Sequence, residues 1–187
     1  MSYRERRMFL WILFLVGIAL AAVVAKATTL ARLSFDDLAQ QSVAVARVRC
    51  VSSESRWDGG EIWTESRFAV VEQDKGALDA TVTVRMLGGR MGNLTSRVDG
   101  VPAFRPGEEL YLFLWGKAGE PYRVLGWSQG TFRIARDARS GAEKVTQELA
   151  STSFDAQTHQ FHAGGVRGMA LSAFQEKLRQ ALAQRVP

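Results

Sequence analysis

Residues 155 to 162 contain both histidines of the chain and a nearby carboxylate, and such side chains can bind a divalent metal ion. The candidate ligands are Asp155, His159 and His162. Their spacing matches no zinc signature, because a helical zinc motif places two histidines four residues apart on one face. The surrounding residues are polar and show no strong periodicity. We therefore predict that the histidines lie in exposed loops, and that the protein has neither a metal site nor a cofactor.

Nucleophilic catalysis lacks the residue pattern that it needs. The chain has one cysteine, Cys50, and no Gly-x-Ser-x-Gly elbow that would present a serine to a substrate. Both histidines lie in the polar tail, which argues against a nucleophile activated by imidazole. Glu61, Glu65 and Glu72 fall on a predicted strand, where charged side chains form the solvated face. We predict that Cys50 is a small buried strand residue and that the protein is not an enzyme.

The stretch 88–105 is the strongest candidate for a functional surface. Its glycines at 88, 89 and 92 interrupt regular structure, and long loops in compact domains are often functional. With two aromatic residues of a neighbouring hairpin, it defines a candidate partner surface made of Trp57, Trp63, Arg90, Met91, Asn93 and Arg97. The alternative is a structural cover, beneath which Leu94, Val98, Val101 and Phe104 are tucked. The two interpretations are compatible.

The elements that would hold this stretch begin with a short helix and a long hairpin. Ser34 is placed to cap the helix, and Asp37 lies in its first turn, where the helix dipole favours an acid. From residue 42 the pattern is extended, and its small apolar face carries Ala44, Ala46, Val48 and Cys50. Asp58-Gly59 predicts a two-residue type I′ turn, which would place Arg56 opposite Glu61.

Three more extended segments complete the predicted sheet, at 81–87, 108–115 and 122–134. In the middle one, Leu110, Leu112 and Leu114 alternate with aromatic residues, so both faces must be covered. Gly126 and Gly130 interrupt the last one. Five strands with glycine-marked bends in about 100 residues predict a mainly β fold, a small closed antiparallel barrel over residues 28–135.

Residues 136–187 have a different character. Residues 136–168 read as a polar connector. A final helix follows, for which Ser172 and Gln175 form a capping-box pattern. Its apolar face comprises Phe174, Leu178, Ala181 and Leu182, and we expect this face to pack on the barrel.

The N-terminal residues 1–27 have the pattern of a secretory signal. Arginines precede an apolar stretch over residues 8–25, and Ala25 and Ala27 occupy the positions that a signal peptidase inspects, so cleavage is expected after Ala27. The alternative is an uncleaved membrane anchor, because the apolar stretch would span about 27 Å as a helix. In both cases the rest of the chain is exported, to the periplasm or beyond the cell, and only this segment would touch the membrane.

The net charge and the single cysteine limit the classes of partner that we expect the protein to bind. Removing residues 1–27 takes away four basic groups and one acidic group, so the net charge falls from +5 to +2. The remaining basic residues are interspersed with acidic ones, which predicts no nucleic-acid binding. A single cysteine cannot form an intramolecular disulfide. The partner we expect is an exported or envelope protein.

Three segments together resemble the netrin-like and tissue-inhibitor-of-metalloproteinase (TIMP-like) barrels of the OB-fold type. They are "SVAVARVRCVSSES", "FAVVEQDKGALDATVTVRML" and "GEELYLFLWGKAGEPYRVLGWSQGTFRI", within residues 33–134. The phrase "GG...G......GVP.F..GE...LFL" also resembles exported bacterial proteins of no known activity. The resemblance implies an OB-like five-stranded barrel. It does not carry over the inhibitor family's zinc-binding N-terminal cysteine, because processing would leave Thr28 at that position.

The sequence thus predicts a non-catalytic, exported binding or accessory module with an OB-like barrel and a helix near each end. An inhibitor or chaperone of an exported metalloprotease is the alternative function. A hydrolase with an unrecognised site is the third. An inhibitor would need an exposed wedge, and an enzyme would need titratable groups that converge in a pocket.

Overall fold

The structure is a computed structural model, and it describes residues 32–117, 119–147, 149, 153–155, 160–162 and 165–184. The predicted signal or anchor segment lies outside the described residues. In chain order, the helices and strands are α1 Phe35–Gln41, β1 Ala44–Asp58, β2 Glu61–Lys75, β3 Thr81–Leu87, β4 Gly89–Met91, β5 Leu94–Ser96, β6 Glu109–Trp115, β7 Arg123–Val124, the 3-10 helix η1 Trp127–Gly130, β8 Thr131–Arg136, β9 Glu143–Thr146, β10 Ser153–Asp155, β11 Gln160–His162, β12 Met169–Ala170 and α2 Leu171–Ala183.

Helix α1 begins where its capping residues predict. The Ser34 hydroxyl accepts a hydrogen bond from the Asp37 backbone N–H at 3.0 Å, and the Asp37 carboxylate accepts one from the Ser34 N–H at 3.1 Å. This reciprocal capping box satisfies two backbone donors that a helix start otherwise leaves unpaired. Leu38 and Ala39 are buried and attach the helix to the sheet.

The main sheet is antiparallel, in the order β12-β9-β8-β6-β1-β2-β3, with β7 paired to β6 as well. Its two central strands, β1 and β6, pair from Ala44 with Leu114 to Arg49 with Glu109. Both faces of these strands are covered, as the sequence predicts. One core contains Ala44, Ala46, Val48, Cys50, Phe68, Val84, Leu110, Leu112 and Leu114, and the other contains Val45, Tyr111, Phe113, Phe132, Phe174 and Leu178.

The predicted closed five-stranded barrel is wrong. No ladder joins β3 to β7 in the described residues, where β3 meets the residue before β7 through one parallel bridge, between Val84 and Tyr122. The reason lies in β6, whose second edge is divided: β7 pairs with Leu114 and Trp115, while β8 pairs with Glu109 to Leu112. Strand β7 is therefore only two residues long. The sheet continues past β6 into β8, β9 and β12, and remains open.

The β1–β2 hairpin is present, but its register differs from the prediction by one residue. Asp58 pairs with Glu61, so the two turn residues are Gly59 and Gly60, at φ +60° and +85°. Two glycines adopt this left-handed backbone more readily than an aspartate does. As a result, Arg56 stands opposite Trp63 and forms its ion pair with Glu65, not with Glu61.

Part of the stretch 88–105 is regular. Strands β4 and β5 form a small hairpin of their own, which we call the arm, with Met91 paired to Leu94 across its turn. Beyond the arm, residues 97–104 run back over the sheet. Phe104 is buried there, as predicted, whereas Leu94 is 57% exposed and not tucked beneath the chain.

The C-terminal part contributes more to the sheet than the predicted connector would. Strand β9 pairs with β8 and β12 pairs with β9, while within the described part of the chain β10 and β11 pair only with each other. Helix α2 buries Phe174, Leu178 and Ala181, as predicted, but its N-cap is Ala170 and no side chain caps it, so the expected Ser172 capping box is wrong. Of the helices described, none is long and apolar enough to span a membrane.

Candidate binding cleft

A cleft of about 500 Å³ opens where the β1–β2 hairpin extends beyond β6. We call it the hydroxyl cleft. One wall is the inward face of β1 and β2, and the other is the stretch 97–104, with the arm at its mouth. Its main lining residues are Ser53, Ser55, Thr64, Ser66, Met86, Arg90, Thr95, Arg97, Asp99 and Phe104.

Four hydroxyl groups line the β1–β2 wall in two cross-strand pairs. Ser53 pairs with Ser66 and Ser55 with Thr64, and the two oxygens of each pair are 2.8 Å apart. They occupy alternate positions of the inward face, which closer to the core is apolar, with Cys50 facing Phe68. The inward face of the sheet is therefore apolar in the core and carries hydroxyl groups at the cleft.

The pair formed by Ser55 and Thr64 holds the base of the arm. The Thr64 hydroxyl donates to the carbonyl of Gly88 at 2.6 Å, and the Ser55 hydroxyl accepts from the backbone N–H of Arg90 at 3.2 Å. Thr64 must therefore accept its other bond from Ser55, so the hydrogen bonds form one continuous chain. The hydrogens of both hydroxyls are therefore used in bonds within the protein. In contrast, the bond between Ser53 and Ser66 uses only one of their two hydroxyl hydrogens, and when the buried Ser66 is the donor, the half-buried Ser53 can donate to a ligand.

Gly89 is required between these two bonds. Its φ of +141° is rare for a residue with a side chain, and a Cβ there would collide with the hydroxyls of Ser55 and Thr64. The missing side chain allows the arm to cross directly over the β1–β2 wall. The glycine pair at residues 88 and 89 is therefore a point of close backbone approach.

The floor of the cleft is apolar. Phe104 is 6% exposed and packs edge-to-face on Phe68, with ring centres 5.1 Å apart, and Met86 lies beside it in the same core. An apolar floor with a few fixed polar groups is the usual composition of a ligand-binding pocket. At the rim stand two arginines, Arg90 and Arg97, and one carboxylate, Asp99.

The hydrogen-bond partners of the four hydroxyls are other hydroxyls and the backbone of the arm. Among the described residues, no carboxylate and no imidazole is hydrogen-bonded to any of the four hydroxyls. A serine or threonine nucleophile needs such a base to remove its proton. Within the same part of the chain, no three His, Cys, Asp or Glu side chains are grouped as a metal ion would require.

The predicted partner surface is divided between two faces. Arg90 and Arg97 line the cleft, while Met91, at the end of β4, and Asn93, in the turn of the arm, lie outside it. Trp57 is 52% exposed near the tip of β1. Trp63, however, lies on the opposite face of the sheet, because its neighbours Ile62 and Thr64 point inward and successive strand residues alternate.

On that outer face, Trp63 belongs to a row of aromatic and cationic side chains. The guanidinium carbons of Arg85 and Arg123 lie 4.6 Å and 5.5 Å from the Trp63 ring centre, and Arg123 also lies 5.6 Å from the ring centre of Trp115. Arg85 forms an ion pair with Asp58 as well. This row, which we call the Trp–Arg row, crosses the seam between β3 and β7.

The four cleft hydroxyls were missed in the sequence. The sequence does contain a signal for them: Ser and Thr recur every two residues on both strands of the β1–β2 hairpin, in "SSES" and "TES", at positions where an inward face is normally apolar. A bulge between Cys50 and Ser52 shifts the period, and this shift conceals which serines point inward.

A separate group of polar side chains lies between the sheet and α2. Gln175 donates hydrogen bonds to the Glu72 carboxylate at 3.2 Å and to the Tyr111 hydroxyl oxygen at 3.1 Å. Burial and the nearby Glu72 raise the pKa of Asp74 to about 6. Burial likewise raises the pKa of Tyr111. This group joins α2 to the sheet and does not open into the hydroxyl cleft.

The chain matches no known family model, no curated protein and no solved structure. The resemblance to netrin-like and TIMP-like proteins therefore stays a prediction. The assignment of the histidines to loops is wrong for His162, because His162 lies on β11, which pairs with β10 and its Asp155. His159 is outside the described residues.

Proposed function

We propose that the protein is a non-catalytic binding module, and that it holds another protein at the hydroxyl cleft. The observation that carries the proposal is the cleft itself, with its apolar floor at Met86 and Phe104, its half-buried Ser53 hydroxyl and its rim of two arginines against one carboxylate. Because the N-terminal sequence has the pattern of a secretory signal, the partner in this proposal is an exported or envelope protein.

A blocking variant tests the proposal. Thr95 is exposed and lines the cleft, so Thr95→Trp would place an indole across its mouth. Lys117→Trp adds the same side chain to an exposed turn after β6 and serves as the control. The protein, purified in the form that its own cell produces, would be immobilised and exposed to the exported proteins of that cell.

The expected result is one protein, or a small set, retained by the wild type and by Lys117→Trp but lost by Thr95→Trp. A combined Met91→Ala and Asn93→Ala variant separates the arm from the cleft, because both residues lie outside the cleft lining. Retention that is unchanged in Thr95→Trp would overturn the cleft as the binding site.

A second candidate function, inhibition of an exported metalloprotease, is favoured by the shape of the arm. Its tip is a tight turn at Gly92 and Asn93 followed by the exposed Leu94, which gives a narrow projection of the kind that enters a protease cleft. Purified exported zinc proteases of the same cell would be assayed with the wild type and with Leu94→Asp. Inhibition by the wild type alone would favour this function.

A further inference from the structure

Beyond Cys50, the second edge of β1 has no strand partner among the residues that the structure describes. Strand β6 pairs with β1 only as far as Arg49. Two backbone hydrogen bonds end the ladder, from Cys50 N to Glu108 O and from Gly107 N to Cys50 O, each 2.8 Å. The turn at Pro106 and Gly107 then directs the chain away, while residues 51–58 continue as a strand bonded to β2 alone.

This open edge is long, and it has only part of the usual protection, namely a bulge at its beginning and the exposed charges of Glu54, Arg56 and Asp58. Residues 51–58 span about 26 Å at roughly 3.3 Å per residue, which is enough for a full partner strand. Edge strands normally carry proline, lysine or an inward-pointing charge that prevents further pairing. This segment has no proline and no lysine, and its inward residues Ser53 and Ser55 are uncharged. A bulge at Cys50 and Ser52 marks its beginning.

The open edge borders the hydroxyl cleft, whose rim carries two arginines against one carboxylate, Asp99. Ser53 and Ser55 belong both to the edge and to the cleft wall. In the described part of the chain, Arg97 has no hydrogen-bond or ion-pair partner, and the Arg90 guanidinium donates only to the carbonyl of Gly92 at 3.2 Å. Both arginines are exposed, so their charges are available to a carboxylate.

We propose that the partner docks as an extended, acidic polypeptide segment that adds a strand to the open edge of β1. This proposal rests on the proposed function and specifies its ligand. A row of alternating N–H and C=O groups at strand spacing is matched by another extended backbone. The inward side chains of the added strand lie in the cleft over Phe104, and a carboxylate of the segment binds Arg97 and Arg90.

A library of random twelve-residue peptides displayed on phage supplies the probe, with the full protein as bait. The most enriched peptide is synthesised in two N-methylated forms, one with methyl groups at alternate odd positions and one at even positions. An added strand points alternate N–H groups toward β1 and toward solvent. One form should therefore bind about tenfold more weakly or worse, and the other should bind like the unmodified peptide.

Charge reversal provides the second measurement. Enriched peptides should contain Asp or Glu, and Arg97→Glu should weaken their binding about tenfold. Arg139→Glu, in the exposed turn between β8 and β9, makes the same charge change elsewhere and should leave binding unchanged.

Two results would overturn strand addition. The first is an equal effect of both N-methylated forms, and the second is a library from which the wild type enriches no peptide over the Thr95→Trp variant. Neither result removes the proposed function, because retention of a folded partner by the wild type and its loss in Thr95→Trp would still place binding in the cleft. Absence of both peptide and protein binding would overturn the two proposals together.

Discussion

The guanidinium of Arg123 lies 5.5 Å from the ring centre of Trp63, although their strands, β7 and β2, do not pair with each other. Between them lies β3, which meets the residue just before β7 through the bridge of Val84 and Tyr122. Two backbone hydrogen bonds of 2.8 Å are all that this bridge contributes. The Trp–Arg row therefore reinforces, through side chains, a seam that the backbone leaves nearly open.

Removing the cation from this row should destabilise the protein. Arg123→Ala loses contacts with two indole rings, and an exposed cation–π contact is worth about 0.5 to 1 kcal/mol, so the free energy of unfolding should fall by about 1 kcal/mol. Urea denaturation measures the change. Arg105→Ala, which removes an exposed arginine outside the row, is the control. Equal losses in the two variants would show that the row has no special role.

The aromatic core beneath α2 should be more sensitive still. Phe174 is fully buried, and its ring centre lies 4.9 to 5.6 Å from those of Tyr111, Phe132 and Phe35. Phe174→Ala removes these contacts and leaves a cavity, at a cost of about 3 to 5 kcal/mol. Chemical denaturation should show this loss, with Ala173→Ser on the exposed face of the same helix as control. A loss below about 1 kcal/mol would mean that α2 is not integral to the core.

Much of the fold was predictable because it depends on local periodicity. The alternation Ala44, Ala46, Val48 identified the inward face of β1, and the spacing of Phe174 and Leu178 identified the buried face of α2. Likewise, Ser34 gave the correct start of the first helix. Such patterns can be recognised in the sequence because burial of one face of a strand or helix fixes the spacing of its apolar residues.

The features that were mispredicted depend on pairing between distant residues. Closure of a barrel requires a full ladder between β3 and β7. No local pattern in the sequence shows that β8 pairs with Glu109 to Leu112 of β6 and so leaves only a short partner for β7. The hairpin register was decided by a competition between Asp58-Gly59 and Gly59-Gly60 for the turn. The cleft was not predicted for a related reason, because a bulge after Cys50 changes which serines face inward.

The contribution of Asp74 to the stability of the protein should decrease as pH rises from about 4 to about 6. The pKa of Asp74 is raised to about 6 by burial and by the nearby Glu72, whereas an unfolded aspartate titrates near pH 4. Between these values only the folded protein keeps the proton, so its advantage is full below pH 4 and is lost as pH passes 6.

Asp74→Asn should remove this contribution. At pH 7.5 the variant should be more stable than the wild type, by on the order of 1 kcal/mol for a partly solvated carboxylate, and the difference should shrink toward pH 4. Urea midpoints at several pH values give the profile. Asp79→Asn, an exposed carboxylate beyond β2, is the matched control. A difference that does not change with pH would contradict the assignment to Asp74.

Alanine substitutions at two glycines should show whether the arm is held in place by the close backbone approach at Gly89. Gly89 and Gly92 both have positive φ, so alanine strains the backbone at either site by about 1 kcal/mol. Only at Gly89 would the added Cβ meet the hydroxyls of Ser55 and Thr64, while Gly92 faces open space. Gly89→Ala should therefore cost clearly more stability in urea, speed hydrogen exchange at the Arg90 amide, and weaken binding at the cleft, whereas Gly92→Ala should leave binding intact. Equal effects of the two variants on amide exchange and binding would show that the hydroxyl pair does not hold the arm.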